Sequence, residues 1–179
     1  LFFGLIRAYK GVATLIRAFA TLAREDPELT LVVAGECYEP EEPYRTLIRE
    51  HGLEARVRFE NRFIPNEEVA TYFAAADVVT LPYHTASASG VITIAYAMDR
   101  PVVATRVGGL PEVVFEGETG HLVPPEDPAA LATAIRGVFA RGGREAYAKG
   151  IAEKRALFTW ARMREVIEGL SRPASASRR

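Results

Sequence analysis

Cysteine is nearly absent from the 179 residues: Cys37 stands alone, so no disulfide can form within the chain. That single thiol fits a reducing compartment and gives a cytoplasmic expectation. Neither charge sign is in excess, with 22 Lys and Arg against 23 Asp and Glu, which argues against nucleic acid as the main partner. Long hydrophobic runs are lacking too. Segments such as Leu29–Gly35 and Val78–Pro82 are strand-sized and far short of a bilayer span. Lysine is scarce, at positions 10, 149 and 154 only. No His, Cys or carboxylate group has metal-ligand spacing, so no metal is expected.

What is present is one domain's worth of chain, 49% hydrophobic, with ordinary Gly and Pro content. Residues 141–179 hold ten Arg or Lys against four Glu, a local +6 that leaves −7 for residues 1–140. Two readings stay open: solvated helix faces plus a basic tail, or contact with an acidic membrane surface or a further domain. Leu1-Phe2-Phe3-Gly4 already reads as a core strand, and the expectation is a domain excised from a longer protein.

Short apolar runs alternate with helical patterns. Strands are predicted at Leu1–Ile6, Leu29–Ala34, Val57–Glu60, Val78–Leu81, Val102–Thr105 and His121–Val123. They are apolar almost throughout, as strands buried on both faces are. Val12, Leu15, Ile16, Phe19 and Leu22 are spaced as one helix face, ended by Pro27; Tyr44, Leu47, Ile48 and His51 form another, stopped by Gly52. Asn66 is the expected N-cap of a third helix, with Glu67 and Glu68 in its first turn. Helices are also expected after Pro128 and after Thr159, the latter with Trp160, Met163, Ile167 and Leu170 as a packing stripe. Strand–helix–strand repetition implies parallel pairing and a doubly wound, three-layer α/β/α architecture. Residues 1–170 would form the domain and 171–179 a disordered basic tail.

In such folds ligands sit where strands run out into loops. The first loop, Gly4 to Gly11, carries Arg7 and Lys10, a guanidinium fork and a mobile ammonium suited to a diphosphate; plain surface charge before a helix is the alternative. Thr85 to Ile92 opens a helix with small residues. Ser87 or Ser89 can cap it, and Gly90 lets an anion reach the first backbone N–H groups, although a simple capped helix explains the pattern as well. In Arg106 to Glu112, Gly108 and Gly109 permit close backbone approach and Pro111 suits a first helical turn. Glu112 could accept a sugar hydroxyl or merely favour the helix N-terminus. His51 and His121 read as structural; His84, in a candidate binding loop, stays open between the two roles.

Seven segments in order resemble the C-terminal domain of the family 4 (group 1) retaining glycosyltransferases, which have the two-domain GT-B fold. They are Gly4 to Gly11, Leu31 to Gly35, Val57–Phe59 with Phe63–Pro65, Ala76 to Pro82, Pro101 to Thr105, Gly108 to Glu112 and Gly120 to Pro124. The resemblance implies a Rossmann-like half that binds a nucleotide-diphosphate sugar, such as a UDP- or GDP-sugar, with the acceptor held by an absent N-terminal half. No separate cofactor is implied. Peripheral membrane contact of the full-length protein is a further expectation. Lys10, with Arg7, would face the diphosphate; Gly4, Gly35, Glu36, Ser87, Ser89, Gly90, Val91, Gly109 and Glu112 would line the donor, and Arg62, Phe63 and Ile64 would lie against the base. Departures are specific. The family's arginine after the first glycine is Leu5 here, and its two glutamates fall at Ala86 and Ile94. Those losses favour a non-catalytic nucleotide- or partner-binding module, and a GT-B sugar-nucleotide epimerase is a separate alternative.

Overall fold

The computed structural model describes residues 1–158, 164 and 168. Strands β1 (Phe2–Phe3), β2 (Leu31–Gly35) and β3 (Val57–Asn61) form one parallel set in the order β1-β2-β3; β4 (Val79–Leu81), β5 (Val102–Thr105) and β6 (Gly120–Val123) form a second, in the order β4-β5-β6. Two main-chain hydrogen bonds join the sets: Thr80 N–H donates to Leu1 O at 2.8 Å, and the Leu1 nitrogen donates to Val78 O at 2.9 Å. The sheet therefore runs β3-β2-β1-β4-β5-β6, and its direction of growth reverses between β1 and β4.

That reversal sets the layers. Right-handed crossovers place the helices of the two halves on opposite faces. On one face α1 (Val12–Glu25) packs against α2 (Glu42–Glu50), and α6 (Pro128–Ala140) returns to lie beside α1. On the other, α3 (Asn66–Ala75) meets β1 where Phe3 contacts the rings of Tyr72 and Phe73, and α4 (Gly90–Ala97) packs against α7 (Ala148–Arg155). A short α5 (Leu110–Val113) follows β5. The expected three-layer α/β/α fold is what forms.

Burial tracks position in the sheet. Every residue of β4 and β5 is buried, as central parallel strands require, whereas β3 exposes Arg58 because nothing pairs beyond it among the described residues. Strand β1 is shorter than the predicted Leu1–Ile6: Gly4 turns the backbone out of register, and pairing resumes only at Ile6, opposite Cys37. Pro65, with extended backbone, precedes α3, so Asn66 is the helix's first residue and not its cap. His51 closes α2 and is exposed rather than facing the core. The Trp160 stripe and the 171–179 tail lie outside the described residues. Among the described residues no helix is long and apolar enough to cross a membrane.

One buried network holds the second half together. The Tyr96 hydroxyl donates to Val113 O at 2.8 Å, leaving Thr119 to donate to the phenol oxygen at 2.6 Å; the Thr119 hydroxyl also accepts the Phe115 N–H at 3.0 Å. Burial pushes the Tyr96 phenol up to about 12, so it stays neutral and able to donate. Tyr96→Phe strands the partly buried Val113 carbonyl and is expected to cost about 1–2 kcal/mol in urea-unfolding free energy, with an unchanged slope. An unchanged midpoint would show that the network contributes no stability.

Candidate functional site

The loops after β1 and β4 diverge at the reversal point, and their residues meet there. Gly11 is pressed so closely on the second loop that a Cβ added to it would lie 1.8 Å from Pro82 O, and His84 N–H donates to Tyr9 O at 2.7 Å. Between these contacts a 3-10 turn, Ala8–Lys10, lifts Lys10 towards Tyr83. The Lys10 ammonium stands 3.8 Å from the centroid of the Tyr83 ring and 5.3 Å from that of Tyr9. Burial holds its pKa below the usual lysine value.

Tyr83 itself is locked. Its ring is buried, its carbonyl accepts the Thr105 hydroxyl at 2.5 Å, and its phenol oxygen lies 3.4 Å from Ser89 Oγ. Ser89 is the residue before α4 and has extended backbone, yet neither it nor Ser87 caps the helix with its side chain, contrary to the expectation for the pair. The first N–H groups of α4 are thus left uncapped by a side chain, beside a hollow of about 300 Å³ lined by Ser89, Gly90, Thr93, Tyr96, Gly109 and Val113. Behind them Gly109 N–H donates to Ser87 O at 3.1 Å, and Gly4 packs against Val91. Lys10, Ser89, Gly90 and Gly109 therefore converge on one end of the sheet, with Gly4 and Val91 beneath.

Other predicted residues stand further out. The Arg7 guanidinium stacks over Tyr38, 4.9 Å from its ring centroid, in the loop after β2. The same loop holds the 3-10 turn in place, because Glu39 accepts the Ala8 N–H at 2.8 Å and the Tyr44 hydroxyl. Arg7 and Lys10 consequently rest against different loops, and Leu5 between them and Gly4 is exposed. Gly35 lies against Gly4 at the ends of their strands, and Glu36 accepts the Tyr38 hydroxyl at 3.2 Å. Arg62 turns towards α3, paired with Glu68 and donating to the Tyr72 hydroxyl at 2.9 Å. Phe63 beside it is 71% exposed and Ile64 is buried. Glu112 is exposed in the first turn of α5, one residue after Pro111. Ala86 and Ile94, at the positions of the family's glutamates, pack against the core. His84 lies 3.4 Å from the Thr14 hydroxyl and 3.7 Å from Glu126; His121 is held between Glu116 at 2.6 Å and the Tyr147 hydroxyl at 2.7 Å.

A larger hollow of about 470 Å³ lies at the opposite end of the strands, among Leu1, Leu29, Val32, Tyr72, Val78 and Phe139. It holds none of the predicted site residues, and the strand-end rule favours the smaller one, which has the start of α4 in its wall.

The sequence pattern of the family described as "Glycosyl transferases group 1" matches residues 1–141. The chain belongs to that family. D-inositol 3-phosphate glycosyltransferase of Corynebacterium efficiens is 42% identical over 139 residues, covering 75% of this chain and 32% of that protein. Among solved structures, sucrose-phosphate synthase from Thermosynechococcus elongatus superposes with a TM-score of 0.78 at 31% identity, covering 94% of this chain and 45% of that one. Anabaena HepE, solved in complex with UDP, gives 0.78 at 27% identity over 95% and 48% of the two chains. The chain thus spans about a third of its Corynebacterium relative and just under half of these two structures. Group 1 membership and the nucleotide-sugar-binding fold agree with the resemblance carried by the seven sequence segments. Two residues that hold the site in place, Tyr83 on the Lys10 ammonium and Glu39 on the turn before it, were not singled out there. Tyr83 had a signal, an aromatic after a buried strand in a candidate loop; the bond from Glu39 to Ala8 spans 31 residues and has none in the local pattern.

Proposed function

We propose that this chain binds the diphosphate of a nucleotide-sugar donor at the β1/β4 reversal, between Lys10 and the first turn of α4. The observation that carries the reading is the Lys10 ammonium held at 3.8 Å over Tyr83, whose hydroxyl reaches Ser89 at the start of that helix. A mobile cation and uncapped helix amides then approach one point, which is the electrostatic pattern a diphosphate needs. The UDP complex of the structurally similar HepE supports a nucleoside diphosphate as ligand. Gly90, Val91 and Gly109 would give the phosphates close backbone contact, and Phe63, with Arg62 and Ile64, would meet the base. Residues 1–170 act as this donor domain.

In the longer protein the donor's glycosyl group would pass to an acceptor held by a second, N-terminal domain, with retention at the anomeric carbon. Lys10 and the α4 amides would stabilise the negative charge that builds on the departing diphosphate. Arg7 would join them only by leaving Tyr38, so its share is smaller. D-inositol 3-phosphate is the first acceptor to assay, on the strength of the Corynebacterium relative.

Calorimetric titration with UDP, GDP and ADP, each against its nucleoside, tests the binding step. Tighter binding of at least one diphosphate than of its nucleoside is expected; no diphosphate binding at all would overturn the reading. The apolar Ala86 and Ile94 favour one rival, a binding module without transfer activity. Binding here, with no transfer by the longer protein across a broad acceptor panel, would favour that rival.

A further inference from the structure

We infer that Tyr83 is a positioning residue of the phosphate site, holding the Lys10 ammonium on its ring face and the start of α4 through its hydroxyl. The inference rests on the diphosphate reading of that site and adds the group that organises it. A lysine side chain has four rotatable carbons and loses about 2 kcal/mol of rotamer freedom when fixed. An aromatic face that already holds the ammonium removes part of that loss before any anion arrives. The geometry fits. The ammonium is 3.8 Å from the Tyr83 ring centroid, nearer than to the Tyr9 ring at 5.3 Å.

Tyr83 is suited to the task because it cannot move. Its ring is 1% exposed, its carbonyl is fixed by Thr105 on the neighbouring strand, and its phenol oxygen is 3.4 Å from Ser89 Oγ. Burial raises the phenol's pKa, so the ring meets the ammonium as a neutral quadrupole. One side chain therefore touches both halves of the site, the loop cation and the residue preceding the helix. A purely structural tyrosine would need only its packing and its carbonyl bond.

The test uses the 179-residue chain with its three lysines carrying ¹³C-methyl groups added by reductive methylation, which keeps their charge. Lys10→Arg assigns the Lys10 signal. Lys154, 4.5 Å from the Phe115 ring centroid, is the ring-shifted reference and Lys149 the unshifted one. An upfield Lys10 signal is expected, kept in Tyr83→Phe and on adding UDP, and moved towards the Lys149 position in Tyr83→Leu. UDP affinity should fall about tenfold in Tyr83→Leu and less than about threefold in Tyr83→Phe, with uridine affinity unchanged in both. An unshifted Lys10 signal in the unsubstituted chain overturns the inference even if Tyr83→Leu does not fold. So does equal UDP affinity in a folded Tyr83→Leu. If Lys10→Ala leaves UDP affinity intact, the diphosphate reading itself fails; if it weakens UDP while Lys10 shows no ring shift, only the role of Tyr83 fails.

Discussion

Lys10→Ala is expected to weaken a nucleoside diphosphate about 10- to 100-fold and to leave the matching nucleoside unchanged. The lost contact is a charge-assisted hydrogen bond to phosphate, worth about 1.5–3 kcal/mol, and each 1.4 kcal/mol is a factor of ten. Because the ammonium is held on Tyr83 and not in an ion pair between protein groups, the substitution strands no carboxylate there, and the fold should tolerate it. Equal losses for UDP and uridine would contradict a phosphate role.

The pH dependence follows with a definite sign. Burial lowers the Lys10 pKa from 10.5 in the free chain, because the charged form is the one desolvation disfavours. Diphosphate affinity is therefore complete below that lowered pKa and is lost as pH rises through it, earlier than an exposed lysine would dictate. Bound diphosphate opposes the shift by favouring the ammonium. Folding responds in the other direction. The unfolded chain binds this proton more tightly, so the Lys10 contribution to stability improves as pH rises between the lowered value and 10.5. Affinity and stability measured side by side across alkaline pH should move oppositely.

Gly108→Ala carries the largest expected cost in stability. A Cβ there would lie 1.5 Å from Ala86 O, with the backbone at φ +49°, and the backbone of the preceding loop cannot retreat without releasing the Gly109-to-Ser87 hydrogen bond. A loss of more than about 3 kcal/mol is expected, lowering the thermal midpoint by roughly 6–12 °C or more. Gly52→Ala is the control, since Gly52 also has positive φ, at +65°, but nothing within 4 Å of an added Cβ; it should cost about 1–2 kcal/mol. Similar losses at both positions would mean that backbone conformation, and not the close approach beside Ala86, governs Gly108. Any folded Gly108→Ala protein should also bind UDP more weakly, because Ala86 and Ser87 lead into the start of α4.

Much of the fold was legible because central parallel strands leave little choice of residue. Val79–Leu81 and Val102–Thr105 are buried throughout and mostly apolar, and both were found within a residue of their predicted limits. The limits failed where one glycine overrides a run of apolar residues, as Gly4 does to β1, or where a neighbour takes a role, as Pro65 does from Asn66. Helix α7 was not foreseen: in Ala148–Arg155 only Ile151 is buried, too little to make a periodic face. The candidate site divides in the same way. Lys10, Gly90 and Gly109 stand out as types that phosphate binding uses, placed after strands. Tyr83 looks locally like core, and its relation to Lys10 exists only once β1 and β4 are neighbours, 73 residues apart in sequence. Arg7 shows the converse. Its position matched a phosphate site, but Tyr38 from another strand's loop takes its guanidinium.

The most direct test of a nucleotide site at the β1/β4 reversal is to follow the backbone amide NMR signals of the ¹⁵N-labelled chain while UDP is added. Shifts concentrated in Gly4 to Gly11, Asn61 to Ile64, Ser87 to Val91 and Arg106 to Glu112 are the expected result. Shifts centred instead on Leu29, Val32, Tyr72 and Val78, around the larger hollow at the opposite end of the strands, would contradict it.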